Sequence, residues 1–317
     1  MKGEFDFIHY IKKSFGLAAI GDDCAVLPKD DDFDLLVTAD LLVEDIDFRL
    51  NWTKPEFLGH KALAVSLSDI AAMGGEPRWA MLAIAVPEKL WETDFVKRFY
   101  EGWTGLASEF QVNLVGGDIS RSADKFLVDS IVGGEAPKGA AILRSGAKPG
   151  DGIFVSGRLG GAAGGLRLLE KIADREPSEM WQKSLITRQL KPMPRVELAK
   201  YLRESSLASS MIDLSDGLSS DIYHICEESG VGAQIEASLL PIDENLKNLI
   251  GADEQLSVAL NGGEDFELLF TVAQEKISLL KNCDVTRIGT VTEDIGVVEL
   301  SDANKKIILH PSGYRHF

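Results

Sequence analysis

The 317-residue sequence has few cysteines, few histidines and no long apolar run. Its three cysteines, Cys24, Cys226 and Cys283, are odd in number and far apart, which excludes a disulfide framework and a CxxC metal pair. The five histidines, His9, His60, His224, His310 and His316, show no paired ligand spacing, so no zinc site is expected. No stretch nears the roughly 18 uninterrupted apolar residues of a membrane span. The first residues, Met1 to Phe7, lack the basic-then-apolar pattern of a secretion signal, and the expected location is the cytoplasm. Basic residues are scarce as well: 33 Lys and Arg against 50 Asp and Glu give a net charge of −17. Nucleic acid and anionic membranes are therefore poor partners. An anionic substrate would need a cationic mediator, and bound metal would supply one.

Familiar catalytic signatures are missing too. The run Gly157-Arg158-Leu159-Gly160-Gly161-Ala162-Ala163-Gly164-Gly165 follows a strand and precedes a helix, but its spacing is not GxGxxG and no Gly-Lys-Ser/Thr ends it. Close helix–strand packing accounts for these glycines better than direct phosphate binding. Kinase catalytic-loop and DFG motifs and a GxSxG elbow are absent. A nucleotide bound here has no P-loop lysine, so metal ions would have to neutralise its phosphates.

What the chain does have is aspartate, recurring beside glycine and at the ends of apolar segments: Gly21-Asp22-Asp23, Thr38-Ala39-Asp40, Leu67-Ser68-Asp69, Gly116-Gly117-Asp118 and Asp213-Leu214-Ser215-Asp216-Gly217. Carboxylates placed just past buried segments have nothing local to neutralise them. Five such places predict one pocket whose charge is shared by Mg²⁺, a hard cation that accepts carboxylate, water and phosphate oxygens. Asp23, Asp40 and Asp69 taken singly read as turn or cap residues. Asp118 is stronger, because Gly116-Gly117 provides a backbone that admits something bulky. Asp213 and Asp216 stand three apart at a predicted helix start, where Ser215 would cap the helix or bind a phosphate oxygen. The run Asp30-Asp31-Asp32 reads as a solvated loop. In Asn261-Gly262-Gly263-Glu264-Asp265-Phe266-Glu267, the acids either face solvent or send Glu264 into a cleft.

Alternating strand-like and amphipathic runs indicate an α/β protein, and the length allows two domains. Strands are predicted at Leu35–Thr38, which delivers Asp40 at its end, and at Ala80–Val86, Val112–Val115, Leu127–Val132, Ile153–Ser156, Phe266–Val272 and Val297–Leu300. Lys54–Met73 is a predicted helix, with Thr53 and Glu56 at capping-box spacing and Gly74-Gly75 at its end. A second helix opens after Pro87, its stripe of Trp91, Phe95, Phe99, Trp103, Leu106 and Phe110 marking core or subunit interface. Later helices are expected at Leu166–Ile172, Glu179–Gln189, Arg195–Arg203 and Ser219–Glu228. The turn-rich run from Arg144 to Asp151 is the linker, dividing domains 1–143 and 144–317.

Together these motifs resemble the thiamine-monophosphate kinase family, of the aminoimidazole ribonucleotide synthetase-like superfamily. The resemblance runs in order through residues 21–25, 61–74, 116–118, 144–151, 212–218, 262–268 and 313–317. It implies a two-domain α/β fold whose N-terminal domain forms a β-barrel across a homodimer, with a C-terminal α/β domain closing the cleft. It implies direct transfer of the γ-phosphate of ATP to thiamine monophosphate, giving thiamine diphosphate. Asp23, Thr38, Asp40, Asp69, Asp118, Asp213 and Asp216 correspond to a Mg²⁺ site, with Asp118, Asp40 and Asp213 central to catalysis. Gly117, Asp118, Arg144 and Ser215 correspond to ATP contacts, and Asp47, Glu264 and Tyr314 to acceptor contacts. Two positions depart from the family pattern: Ala39 precedes Asp40 where relatives often carry a hydroxyl, and Asp47 stands where relatives often carry histidine. An acid at 47 repels the substrate phosphate unless a cation intervenes. The alternatives are a sister ATP-dependent enzyme of the aminoimidazole ribonucleotide synthetase type and a non-catalytic Mg·ATP-binding homologue.

Overall fold

A computed structural model describes residues 4–17, 19–172, 176–280, 283–302 and 305–316; Phe317 of the terminal motif lies outside them. After helix α1 (Glu4–Phe15), strands β1 (Ala25–Pro28), β2 (Phe33–Val43), β3 (Glu76–Pro87), β4 (Asn113–Ser122) and β5 (Leu127–Pro137) form one sheet in the order β1-β2-β5-β3-β4. Helices α2 (Pro55–Ala72), α3 (Glu88–Trp91) and α4 (Phe95–Glu109) are interspersed among them. The second sheet, in the order β12-β11-β8-β10-β6-β9-β7, comprises β6 (Gly152–Ser156), β7 (Ala208–Asp213), β8 (Gly232–Glu236), β9 (Leu268–Val272), β10 (Val285–Thr292), β11 (Val298–Asp302) and β12 (Lys305–Ile308). It is accompanied by α5 (Gly161–Ile172), α6 (Met180–Leu190), α7 (Val196–Glu204), α8 (Leu218–Ser229) and α9 (Ala252–Asn261).

Helix α2 is the centre of the molecule. Every residue from Leu58 to Ser68 is buried, polar and apolar alike, because the helix is enclosed by other elements. Its Leu58, Leu63 and Leu67 join Leu36, Leu82, Val128 and Val132 of the first sheet in one core, and its Ala71 and Ala72 join Phe154, Leu202 and Phe270 of the second half. The aromatic stripe belongs to this core. Phe95 and Phe99 meet the fully buried Phe126 edge-on, with ring centroids 5.2 and 5.5 Å apart.

Several local expectations are corrected. Thr53 makes no capping bond to α2: Lys54 takes the N-cap place, Pro55 opens the helix, and Glu56 instead accepts from Arg98 Nε at 2.8 Å. The helix expected after Pro87 breaks at Glu92 to Asp94, leaving Trp91 exposed and outside the stripe. Strand β2 does not end before Asp40 but carries it on to Val43, and β4 runs straight through Gly116-Gly117-Asp118. Sheet pairing, which no local pattern reveals, extends these strands. The glycine stop of α2 stands: Gly74 is left-handed, and Gly75 N–H returns to Ile70 O at 2.9 Å.

Helices α2 and α4 cross backbone to backbone at glycines. A Cβ on Gly102 would lie 1.9 Å from Glu56 O, whereas one on Gly105 would meet nothing within 4 Å. Alanine is favoured over glycine in a helix by about 1 kcal/mol, so sign alone separates the two sites. Gly102→Ala is expected to lower the urea-unfolding free energy by about 2 kcal/mol or more through overpacking, and Gly105→Ala to raise it by about 0.5 kcal/mol. Equal effects from the two would contradict this crossing.

Candidate active site

Three elements of the first half and one strand end of the second bring their acids together. Asp23 precedes β1, Asp40 lies inside β2, Asp69 sits in the last turn of α2, and Asp213 is the last residue of β7. Carboxylate oxygens of Asp23, Asp69 and Asp213 all lie within 4.8 Å of one another. Hydroxyls fix one oxygen of each of three acids. Thr38 Oγ1 donates to Asp69 Oδ2 at 2.5 Å, Ser66 Oγ to Asp40 Oδ2 at 2.6 Å, and Ser68 Oγ to Asp213 Oδ2 at 2.6 Å. Arg144 Nη2 donates to Asp23 Oδ1 at 2.6 Å, while Asp23 Oδ2 is buried with no hydrogen-bond partner.

The electrostatics follow from crowding. Burial, reinforced by the neighbouring acids, pushes Asp213 up to about 8 and holds Asp69 well above the usual carboxylate range. Burial also raises Asp40 to about 6, against the Ser66 hydrogen bond, and raises Asp23 despite Arg144. Such acids, with an orphaned buried oxygen among them, are a donor set suited to divalent cations that prefer oxygen.

Next to the cluster opens a cleft of about 380 Å³ between the two halves. Asp40, Asp47, Phe48 and Trp52 line it from the first half; Ser215, Asp216, Glu264 and Tyr314 line it from the second. Glu264 thus faces a cleft, not open solvent. Its carboxylate is held by the buried Lys61 ammonium at 2.6 Å and by Gln189 Nε2. Asp47 Oδ2 accepts from Val43 N–H at 2.8 Å, and cationic Arg49, Lys61 and Arg315 share its cleft. Burial raises the Asp47 pKa, and the nearby His316 acts to lower it.

The loop after β7 is held differently from expectation. Helix α8 begins at Leu218, so Ser215 does not cap it; Asp221 Oδ2 instead accepts from Gly217 N–H at 3.0 Å. Freed from capping, Ser215 and Asp216 face the cleft. Their carbonyls accept from Glu264 N–H at 2.8 Å and Tyr314 N–H at 3.0 Å, which ties both of these cleft-lining residues to the loop carrying Asp213.

Asp118 and Gly117 are not brought to this cluster within one chain. The registers align Asp40, Ser130, Leu82 and Gly117 in one row across β2, β5, β3 and β4. Three strand spacings of ~4.8 Å separate its ends, about 14 Å. Four residues of the site escape sequence reasoning: Lys61, Ser66, Ser68 and Gln189. A signal for two of them exists, because Lys61, Val65, Ser68 and Asp69 recur at helical spacing, and polar groups among apolar neighbours mark one stripe of α2.

The fold and its acidic cluster define the class. Residues 21–136 match the N-terminal domain and residues 148–300 the C-terminal domain of the AIR synthase related proteins. The chain belongs to that family and, within it, to the thiamine-monophosphate kinases. It is 40% identical to the Bacillus subtilis thiamine-monophosphate kinase, covering 99% of each chain. It is 38% identical to the Escherichia coli K12 enzyme, covering 94% of this chain and 91% of that one. AaThiL complexed with AMPPCP and TMP superposes with a TM-score of 0.89 at 36% identity, covering 99% of this chain and 97% of that chain. E. coli HypE, a hydrogenase maturation protein, shares the fold at 20% identity and a TM-score of 0.72, covering 95% of this chain and 96% of that one.

The raised pKa values set a pH dependence. A carboxyl whose folded pKa exceeds its unfolded value stabilises the fold below the unfolded pKa and ceases to do so as pH climbs through the folded one. From Asp40 at about 6 and Asp213 at about 8, the metal-free protein should lose stability between about pH 4 and pH 8. Millimolar Mg²⁺, which binds the ionised cluster, should then raise the melting temperature more at about pH 8 than at about pH 6. Equal Mg²⁺ shifts at the two values, in thermal-shift scans, would remove these acids from the metal site.

Proposed function

We propose that this chain transfers the γ-phosphate of ATP directly to thiamine monophosphate, forming thiamine diphosphate and ADP. The observation that carries this is the crowded set of Asp23, Asp69 and Asp213 opening beside a cleft lined by Glu264 and Tyr314. The activity named for the relatives and the AaThiL complex with AMPPCP and TMP support it. Asp23, Asp40, Asp69, Asp213 and Asp216 would hold Mg²⁺; since each Mg²⁺ takes one or two carboxylates, more than one ion fits. Bound there, Mg²⁺ supplies neutralisation of the phosphate oxygens and of the charge that develops as the phosphoryl group moves.

Thr38 keeps its place by orienting Asp69, while Arg144 and Ser215 face the ATP phosphates. Glu264, Asp47 and Tyr314 receive the thiamine part, with Tyr314 stacking on a ring. An acceptor phosphate oxygen, already anionic near neutral pH, attacks the γ-phosphorus as the bond to the β-bridging oxygen breaks. No side chain is needed as a general base. What the residues contribute is position and charge neutralisation.

We further propose a homodimer. Edge strand β4 is exposed along Leu114, Val115 and Ile119, and Leu41 and Met81 lie exposed in the same sheet. An exposed apolar edge of this kind calls for a partner. Closing two such sheets into a barrel would carry Gly117 and Asp118 of one copy to the acidic cluster of the other. The domain boundary falls between residues 143 and 144, in the stretch joining the two sheets. No helix among the described residues is long and apolar enough to cross a membrane, and we place the enzyme in the cytoplasm.

The direct test incubates purified protein with ATP, Mg²⁺ and thiamine monophosphate and separates products chromatographically. Equal yields of thiamine diphosphate and ADP are expected; their absence despite Mg·ATP binding would overturn the assignment. Asp118→Asn should cut kcat at least about a hundredfold, the scale of losing one transition-state stabiliser. Near-wild-type turnover of that variant at saturating Mg²⁺ would exclude Asp118 from the site.

A further inference from the structure

The segment Glu264-Asp265-Phe266-Glu267 carries a backbone anomaly that the phosphoryl transfer does not use. Glu264 and Phe266 have φ of 66° and 49°, left-handed values that non-glycine residues rarely adopt. Strain of this kind persists only where surrounding contacts over-determine it. Two buried acids supply those contacts. Asp265, between the two strained residues, accepts from Gly160 N–H and from Ala162 N–H at 3.0 Å, so its carboxylate sits at the start of α5. Glu267 accepts from Arg195 Nε at 2.6 Å and Nη2 at 2.7 Å and from Ser156 Oγ at 2.6 Å.

The glycine-rich run therefore has an occupant already. The N–H groups at the start of α5, which resemble a phosphate cradle, are taken by the protein's own carboxylate. Close packing explains the later glycines: a Cβ on Gly165 would stand 2.1 Å from Leu185 O. Pinned on both sides, the segment can only present Glu264 toward Lys61, Gln189 and the cleft.

We infer that Asp265 is a positioning residue for the acceptor: by anchoring to the start of α5, it holds the strained turn that aims Glu264 at the substrate. This rests on the proposed kinase activity, with Glu264 on the thiamine side of the cleft. Asp265 lies outside the acidic cluster, and its turn carries Glu264 to the cleft, so the acceptor KM is the parameter its loss should move most. A residue that merely stabilised the fold would not make that distinction.

The experiment measures initial rates for wild type, Asp265→Asn, Glu264→Gln and the double variant, varying thiamine monophosphate and Mg·ATP separately. If wild type forms no thiamine diphosphate, the kinase assignment fails and the inference falls with it. With an active wild type, Asp265→Asn should raise the acceptor KM about tenfold or more, the scale of a misplaced charged hydrogen bond. The Mg·ATP KM should stay within about twofold and kcat within about threefold. The double variant should have nearly the acceptor KM of Glu264→Gln alone, since both changes act through one carboxylate. An unchanged acceptor KM, multiplicative effects, or a uniform fall in all parameters would each overturn the inference. Should Asp265→Asn not fold, Asp265→Ser keeps one N–H acceptor and carries the same expectations.

Discussion

Four carboxylates crowd one partly buried site beside the cleft, and much of the structure is arranged around that conflict. Asp23, Asp40, Asp69 and Asp213 are each raised above the ordinary carboxylate range, chiefly by burial. Left alone they would take up protons, since like charges in a low-dielectric site cannot all ionise. Divalent cations would resolve the conflict in the other direction by fixing the ionised state. On the proposed function, a chain with net charge −17 would then receive two phosphorylated substrates, because the local field at the phosphates would belong to the cations and not to the protein.

Helix α2 makes the arrangement stiff. The same buried helix carries Asp69 and the hydroxyls of Ser66 and Ser68, which orient Asp40 from one sheet and Asp213 from the other. It also carries Lys61, the counter-ion of Glu264. Further contacts tie its surroundings to the second half: His60 Nε2–H donates to Pro192 O at 2.7 Å, and Arg203 Nη1 donates to Gly74 O at 2.7 Å. The proposed metal ligands and acceptor contacts are thus referenced to one rigid element, which suits a reaction whose catalysis depends mainly on position.

The sequence disclosed the chemistry better than the geometry. Aspartates beside glycines pointed to a shared cation site because a buried acid without a partner is costly and a bound cation removes that cost, and α2 was legible from its length, apolar content and glycine stop. Sheet context was not legible. Nothing local says that β2 continues past Asp40, or that β4 lies three strands away from it, because strand order depends on distant pairings. Serines 66 and 68 carry no local mark of their role; only their partners from other elements show that they hold carboxylates. The capping box at Thr53 failed for a related reason, since Arg98 on another helix competes successfully for Glu56.

The fate of the glycine-rich run shows why motif and function must be argued separately. A helix start after a glycine turn offers N–H groups and a positive dipole end to any anion, and from sequence a phosphate is the obvious occupant. Here the anion is Asp265, supplied from about a hundred residues downstream. The same physics that would bind a ligand instead fastens one segment of the chain to another, and on the proposed function phosphate recognition would pass to the acids gathered around α2. A positive helix end and a negative cluster would thereby exchange their customary roles: the first builds the scaffold, and the second, once neutralised by metal, would bind the anions.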